Sequence, residues 1–98
     1  MAKRKIVWSL QARNNRVQIL EFWFEHNKSI EYSKKLNNLF KEAVEFIAEF
    51  PAIGKLTDDK LARIKIVRDY WIVYDEHENT IFILAIFDSR QNPIRLVY

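Results

Sequence analysis

The stretch that decides the fold is Arg63-Ile64-Lys65-Ile66-Val67-Arg68-Asp69-Tyr70-Trp71-Ile72-Val73-Tyr74, followed after Glu76-His77-Glu78-Asn79 by Thr80-Ile81-Phe82-Ile83-Leu84-Ala85-Ile86-Phe87-Asp88-Ser89-Arg90. Three runs rich in β-branched and aromatic residues, separated by short polar breaks, predict an antiparallel meander. Arg68-Asp69 reads as a tight reversal and Glu76 to Asn79 as the next turn, which leaves Tyr70 to Tyr74 as the middle strand. The run from Thr80 to Phe87 is apolar on both faces and is expected to be a central strand. In the first strand, side-chain alternation groups Ile64 with Ile66 and Arg63 with Lys65 and Val67. Taking the isoleucines as the core pair, the two cations are expected to point away from any covering helices.

Working backward from the meander, Phe50-Pro51-Ala52-Ile53-Gly54-Lys55 carries the only glycine of the chain and reads as a turn that needs positive φ or a close backbone approach. Leu56 to Leu61 is expected to be a polar loop. Before it, Tyr32, Leu36, Leu39, Phe40, Ala43, Val44, Ile47 and Phe50 fall at steps of three and four, the pattern of an amphipathic helix. Pro51 ends that helix, because the residue before proline is pushed out of the α region. An earlier helix is expected from Ser9, its N-cap, to Asn27-Lys28-Ser29, with Leu10, Val17, Leu20 and Phe24 on its apolar side and Ile19 and Trp23 widening it. The short connection between the two helices predicts an antiparallel hairpin lying on one face of the sheet. Ile6-Val7-Trp8 reads as an N-terminal strand on or near the sheet edge. The tail from Gln91 to Tyr98 is expected to add an edge strand or to dock as a loop. The fold class is therefore α+β: an N-terminal strand, a two-helix hairpin and a mainly antiparallel sheet completed by the C-terminal meander.

Composition limits what such a domain can do. The 98 residues, 49% hydrophobic and 30% charged, suffice for one core, so residues 1–98 are read as a single domain. The longest apolar run, Ile81 to Phe87, is far short of the ~20 residues of a membrane span. Met1-Ala2-Lys3-Arg4-Lys5 is basic, but only five residues of mixed character follow before Gln11, so it does not read as a signal peptide, and a cytoplasmic location without membrane contact is expected. The absence of cysteine removes disulfides, thiolate metal sites and cysteine nucleophiles, and two separated histidines argue against a zinc site. No cofactor is expected. A net charge of +3 favours an anionic partner without requiring one.

In its order of strand, two helices and three antiparallel strands, the chain resembles the RelE/ParE superfamily of bacterial type II toxins over nearly its whole length. The residues that carry the likeness are Ile6-Val7-Trp8 and Ala12, Phe50-Pro51-Ala52-Ile53-Gly54-Lys55, Arg63 with Tyr70-Trp71-Ile72-Val73-Tyr74, and Ile83 to Arg90 with Asn92-Pro93. The resemblance implies a toxin neutralised by a cognate antitoxin that wraps over its surface. It also implies one of two mechanisms. RelE-like members are endoribonucleases (mRNA interferases) that cut mRNA on the ribosome with a cationic cluster on the concave sheet face, and ParE-like members inhibit DNA gyrase and lack much of that cluster.

Arg63 and Lys65 look like the basic pair of the nucleases and Arg90 like their arginine after the last core strand. Trp71 stands where they hold another cation, and the Pro51-x-x-Gly54-Lys55 turn looks more ParE-like. For a nuclease, Arg63 and Lys65 would stabilise phosphorane-like charge, Arg90 would clamp the phosphate, Arg68 would replace the missing arginine, and Tyr98 or Tyr70 would transfer a proton or stack on a base. The same residues admit plainer readings: a landing surface for an acidic antitoxin at Arg63 and Lys65, and a structural ion pair between Arg90 and Asp88. Ribosome-dependent mRNA cleavage is the leading expectation, with gyrase inhibition or a non-toxic antitoxin-binding relic as alternatives.

Overall fold

The computed structural model describes residues 3–90. Its elements are β1 (Lys5–Trp8), α1 (Leu10–Asn27), α2 (Glu31–Glu49), a single 3₁₀ turn (Pro51–Ile53), β2 (Lys55–Leu56), β3 (Arg63–Val67), β4 (Tyr70–His77) and β5 (Thr80–Asp88). One five-stranded sheet runs in the order β1-β5-β4-β3-β2. All neighbours are antiparallel except β1, which lies at the edge and pairs parallel to β5, so the third strand of the meander is interior as expected. Gln91 to Tyr98, with the expected edge strand or docked loop, lie outside the described residues.

Local chemistry explains the boundaries. The Ser9 hydroxyl oxygen accepts from Ala12 N at 3.0 Å and its proton goes to Leu84 O at 2.9 Å, so one side chain both caps α1 and ties it to β5. At the other end Lys28 adopts the left-handed conformation, φ 53°, that closes a helix. Pro51 stands two residues beyond the end of α2 and opens the 3₁₀ turn. The β4–β5 hairpin turns through Glu78 and Asn79, both at positive φ (49° and 66°), as a tight primed turn requires. β4 therefore continues through Asp75, Glu76 and His77 instead of stopping at Tyr74, because that two-residue turn lets the ladder close out to His77 and Thr80.

Both helices cover one face of the sheet. Leu36, Phe40, Ala43, Val44 and Ile47 of α2 and Ala12 of α1 pack on Val67, Tyr70, Ile72, Tyr74, Ile81, Ile83 and Ile86, with Ile6, Trp8, Ile19 and Trp23 at the margin. A register shift at Val73/Tyr74, opposite Ile83 and Ala85, re-phases β5 so that Ile83 and Ile86 both reach this core.

Two facing assignments differ from the sequence reading. Directly paired residues share a sheet face, and Lys65 pairs with core Ile72, Val67 with core Tyr70 and Arg63 with core Tyr74. Arg63 and Lys65 therefore lie on the helix side, and Ile64 and Ile66 lie on the opposite side, where Ile66 is exposed. The register is set by Tyr70, which must enter the core and takes Val67 with it across the two-residue turn. In α1 the buried side is Ala12, Ile19 and Trp23, whereas Leu10, Val17 and Phe24 face solvent.

Candidate functional site

The candidate residues divide between the two ends of β3. At its start, Arg63 belongs to a strap that holds the chain leaving α2. Its Nη1 donates to Gly54 O at 2.7 Å and reaches Ala52 O at 3.4 Å. Beside it the buried Tyr74 hydroxyl donates to Pro51 O at 2.7 Å and accepts from Gly54 N at 2.9 Å. Gly54 has φ −77°, so the need here is close approach: a Cβ would lie 2.6 Å from the Tyr74 hydroxyl and 2.9 Å from Ile64 O. Burial pushes the Tyr74 phenol above its ordinary pKa. Part of the Arg63 guanidinium is thus committed to backbone carbonyls. Lys65, half-buried in mid-strand, has no hydrogen-bond or ion-pair partner among the described residues.

At the far end, about 16 Å along the strand from Arg63, Arg68 occupies the β3–β4 turn with φ 57° and is exposed. Ser89 N donates to Asp69 O at 2.8 Å, which pins that turn to the end of β5. Arg90 is bound there in bidentate fashion, Nε to Asp88 Oδ1 at 3.0 Å and Nη2 to Asp88 Oδ2 at 2.9 Å, with Nη1 3.8 Å from Asp69 Oδ2. The Arg90 guanidinium holds the Asp88 carboxyl below its ordinary pKa, and the carboxylates raise that of Arg90. The Asp88–Arg90 ion pair is therefore formed, as one reading of the sequence had it.

These two residues line a groove of about 530 Å³ between α1 and the sheet, walled also by Asn15, Gln18, Phe22 and Tyr70. The Tyr70 hydroxyl accepts from Trp23 Nε1 at 2.7 Å, and burial raises the Tyr70 pKa. Asn15 anchors the groove by accepting from Ile86 N at 3.1 Å. The contribution of α1 to this groove escapes sequence reasoning, because Asn15, Gln18 and Phe22 stand out only once the helix is docked.

The structure thus brings Arg68 and Arg90 to one end, beside Tyr70, and leaves Arg63 at the other. Tyr98 lies outside the described residues. Any phosphate approaching Arg90 must compete with two carboxylates. His77 is exposed at the opposite end of β4 from Tyr70, and His26 is exposed near the C-terminus of α1. Among the described residues no cluster of histidine and carboxylate groups is placed to hold a metal ion. On the sheet face away from the helices Ile64, Ile66, Trp71, Val73, Phe82 and Phe87 share a side by register, with Val73 fully buried and the exposed Lys55 and Asp75 at its margins. Trp71 sits opposite Ile66 and Phe87, in the middle of that patch. No helix among the described residues is long and apolar enough to cross a membrane.

Comparison with known proteins agrees with this architecture. No curated protein sequence matches the chain. Ten solved chains are similar to it. One of them, from the chromosomal ParDE TA system from P. aeruginosa, superposes with a TM-score of 0.75 over 88% of this chain and 96% of its own length, at 14% sequence identity. At that identity the likeness establishes the fold. Residues 6–93 match the family model described as the ParE toxin of the type II toxin-antitoxin system parDE. With nearly the whole chain matched, the protein belongs to the ParE toxin family of type II toxin–antitoxin systems.

Proposed function

We propose that this ParE-family toxin arrests growth by binding DNA gyrase and breaks no bond in RNA. The observation that carries the reading is the separation of the candidate cations: Arg63 is bound to the carbonyls of Gly54 and Ala52, and Arg90, at the far end of β3, is neutralised by Asp88. Phosphodiester cleavage without a metal needs several cations and a proton-transfer group converging on one phosphate. Here they are dispersed, and Trp71 belongs to an apolar patch. Such a surface suits a protein partner better than a phosphodiester.

An antitoxin is the partner that membership of a parDE-type family brings with it. We place its contact, too, on the toxin surface flanking the sheet, where the half-exposed apolar side chains need cover. The test sets two reactions side by side. Purified toxin is expected to inhibit supercoiling by gyrase and to leave ribosome-bound mRNA intact. Unaffected supercoiling with transcripts cut in the decoding site would overturn the proposal.

A nuclease reading retains one favourable observation, the adjacency of Arg68, Arg90 and Tyr70 at one end of the sheet. Arg63→Ala, Lys65→Ala, Arg68→Ala and Arg90→Ala distinguish the two in cells. Under the nuclease reading Arg68→Ala and Arg90→Ala abolish growth arrest while the protein stays folded, and under the gyrase reading each leaves arrest in place.

A further inference from the structure

α1 carries two apolar stripes on opposite sides, and only one of them is used in the fold. Ala12, Ile19 and Trp23 pack on the core, while Leu10, Val17 and Phe24 are 68%, 53% and 46% exposed. These three residues are seven positions apart, so they form one line along the helix with a spacing of about 10.5 Å. Around them the sequence has a symmetry about Val17. Leu10 and Phe24 lie seven residues to either side, and Arg13 and Glu21 lie four residues to either side with opposite charge. Arg13 and Glu21 are both exposed, and neither makes an ion pair among the described residues.

We infer that this stripe is a docking surface for a second copy of the same chain, packed α1 against α1 in antiparallel fashion about a two-fold axis through Val17. In that arrangement Val17 meets the partner's Val17. Leu10 of each copy lies against Phe24 of the partner subunit, and Arg13 of each faces Glu21 of the partner subunit. A two-fold contact requires each surface to complement itself, and opposite charges equidistant from an apolar centre meet that requirement. An unrelated partner would impose no such symmetry on the helix. The contact lies on the side of α1 away from the sheet, so it leaves the groove beside Asp88 and the aromatic sheet face free. It does not depend on which cellular target the toxin has.

One pair of 18-residue helices gives an interface at the small end of the range for specific association, so a reversible dimer with a dissociation constant on the order of 10 µM is expected. Sedimentation equilibrium of the purified toxin, with circular dichroism to verify folding, tests it. Val17→Asp places two carboxylates on the axis and is expected to give a folded monomer. Arg13→Glu and Glu21→Arg each turn both ion pairs into repulsions and weaken dimerisation roughly 10-fold or more. The double variant R13E/E21R restores it. An equimolar mixture of the two single variants forms the heterodimer, in which both contacts are again attractive. A wild-type chain that stays monomeric to several hundred micromolar would overturn the inference. So would dimers indifferent to the charge swaps, or a monomeric chain in which Val17→Asp weakens antitoxin binding, since the antitoxin would then be the occupant of the stripe.

Discussion

Replacing Gly54 by alanine tests the strap that links the end of α2 to β3 and β4. The added Cβ would sit 2.6 Å from the Tyr74 hydroxyl, 2.8 Å from Tyr74 Cε1 and 2.9 Å from Ile64 O. Two of these atoms belong to a ring that is fully buried and the third is backbone, so no flexible end is available to swing away. Overpacking of this kind costs about 1–3 kcal/mol. Displacing the Tyr74 hydroxyl also strains its bonds to Gly54 N and Pro51 O, and a buried polar group left without its partner costs about 1–3 kcal/mol. The expected destabilisation is about 3 kcal/mol. Tyr74→Phe, which removes the hydroxyl and strands the same two backbone groups, is expected to cost about 2 kcal/mol. The double variant relieves the shortest contact and loses hydrogen bonds that Gly54→Ala has already damaged. Its cost should fall at least 1 kcal/mol short of the sum, as for residues in direct contact. Urea unfolding measures this: with a slope near 1 kcal/mol per molar for a domain of this size, Gly54→Ala lowers the midpoint by roughly 3 M. A Gly54→Ala protein within 0.5 kcal/mol of wild type, or strictly additive costs, would refute the close-approach argument.

Three further outcomes follow from individual contacts. Ser9→Ala removes the oxygen that caps α1 and the donor to Leu84 O; it should cost about 1 kcal/mol and lower the melting temperature by about 4–8 °C in a calorimetric scan. Lys28→Gly at the left-handed end of α1, φ 53°, should raise stability by up to about 1 kcal/mol in urea titration, since a side chain is disfavoured in that conformation. Tyr70 and Tyr74 both have phenols raised by burial. The native state therefore holds their protons where the unfolded chain releases them, and stability is full below about pH 10 and falls as the pH rises beyond it. Replacing both by phenylalanine should flatten that alkaline decline when unfolding free energy is measured from pH 8 to 11.

Element order was legible in the sequence because each boundary is set by local chemistry: Ser9 as a cap, Pro51 as a stop, and two short polar turns within a β-rich run. Facing was less legible. Ile64 and Ile66 alternate with Arg63 and Lys65, and taken alone that pattern assigns the isoleucines to the core. A shift of one residue exchanges the two faces of a strand, and what fixes the phase is Tyr70, which pairs with Val67 across the turn and packs against Phe40 at 5.6 Å between ring centres. The same ambiguity affects α1, whose apolar residues occupy both sides, so periodicity finds the helix without telling which side docks. The irregularity at Val73/Tyr74 is likewise invisible in sequence, because nothing in Ile83-Leu84-Ala85-Ile86 announces that two of these residues will oppose one step of β4.

The inversion of β3 alters what the cations can mean. A cationic cluster on an open sheet face would be available to a bound nucleic acid, with Trp71 as a gap in it. With Arg63 and Lys65 on the helix side, the gap disappears as a concept: Trp71 is continuous with Ile66 and Phe87, and no row of charges on its face has been interrupted. The arginine at the end of β5 is equally changed by its surroundings, since Asp88 engages two nitrogens of its guanidinium and Asp69 stands near the third. The bond from Ser89 N to Asp69 O holds the β3–β4 turn against β5, and the Arg90 guanidinium, paired with Asp88, shapes the wall of the groove beside α1. On this fold, then, Arg63 and Arg90 act on the protein's own backbone and carboxylates, whereas Lys65 and Arg68 make no such side-chain contact among the described residues. Among the described residues the side of the sheet away from the helices presents Ile66, Trp71 and Phe87 as partly or fully exposed apolar groups, which is the physical ground for the proposal that this toxin works by binding.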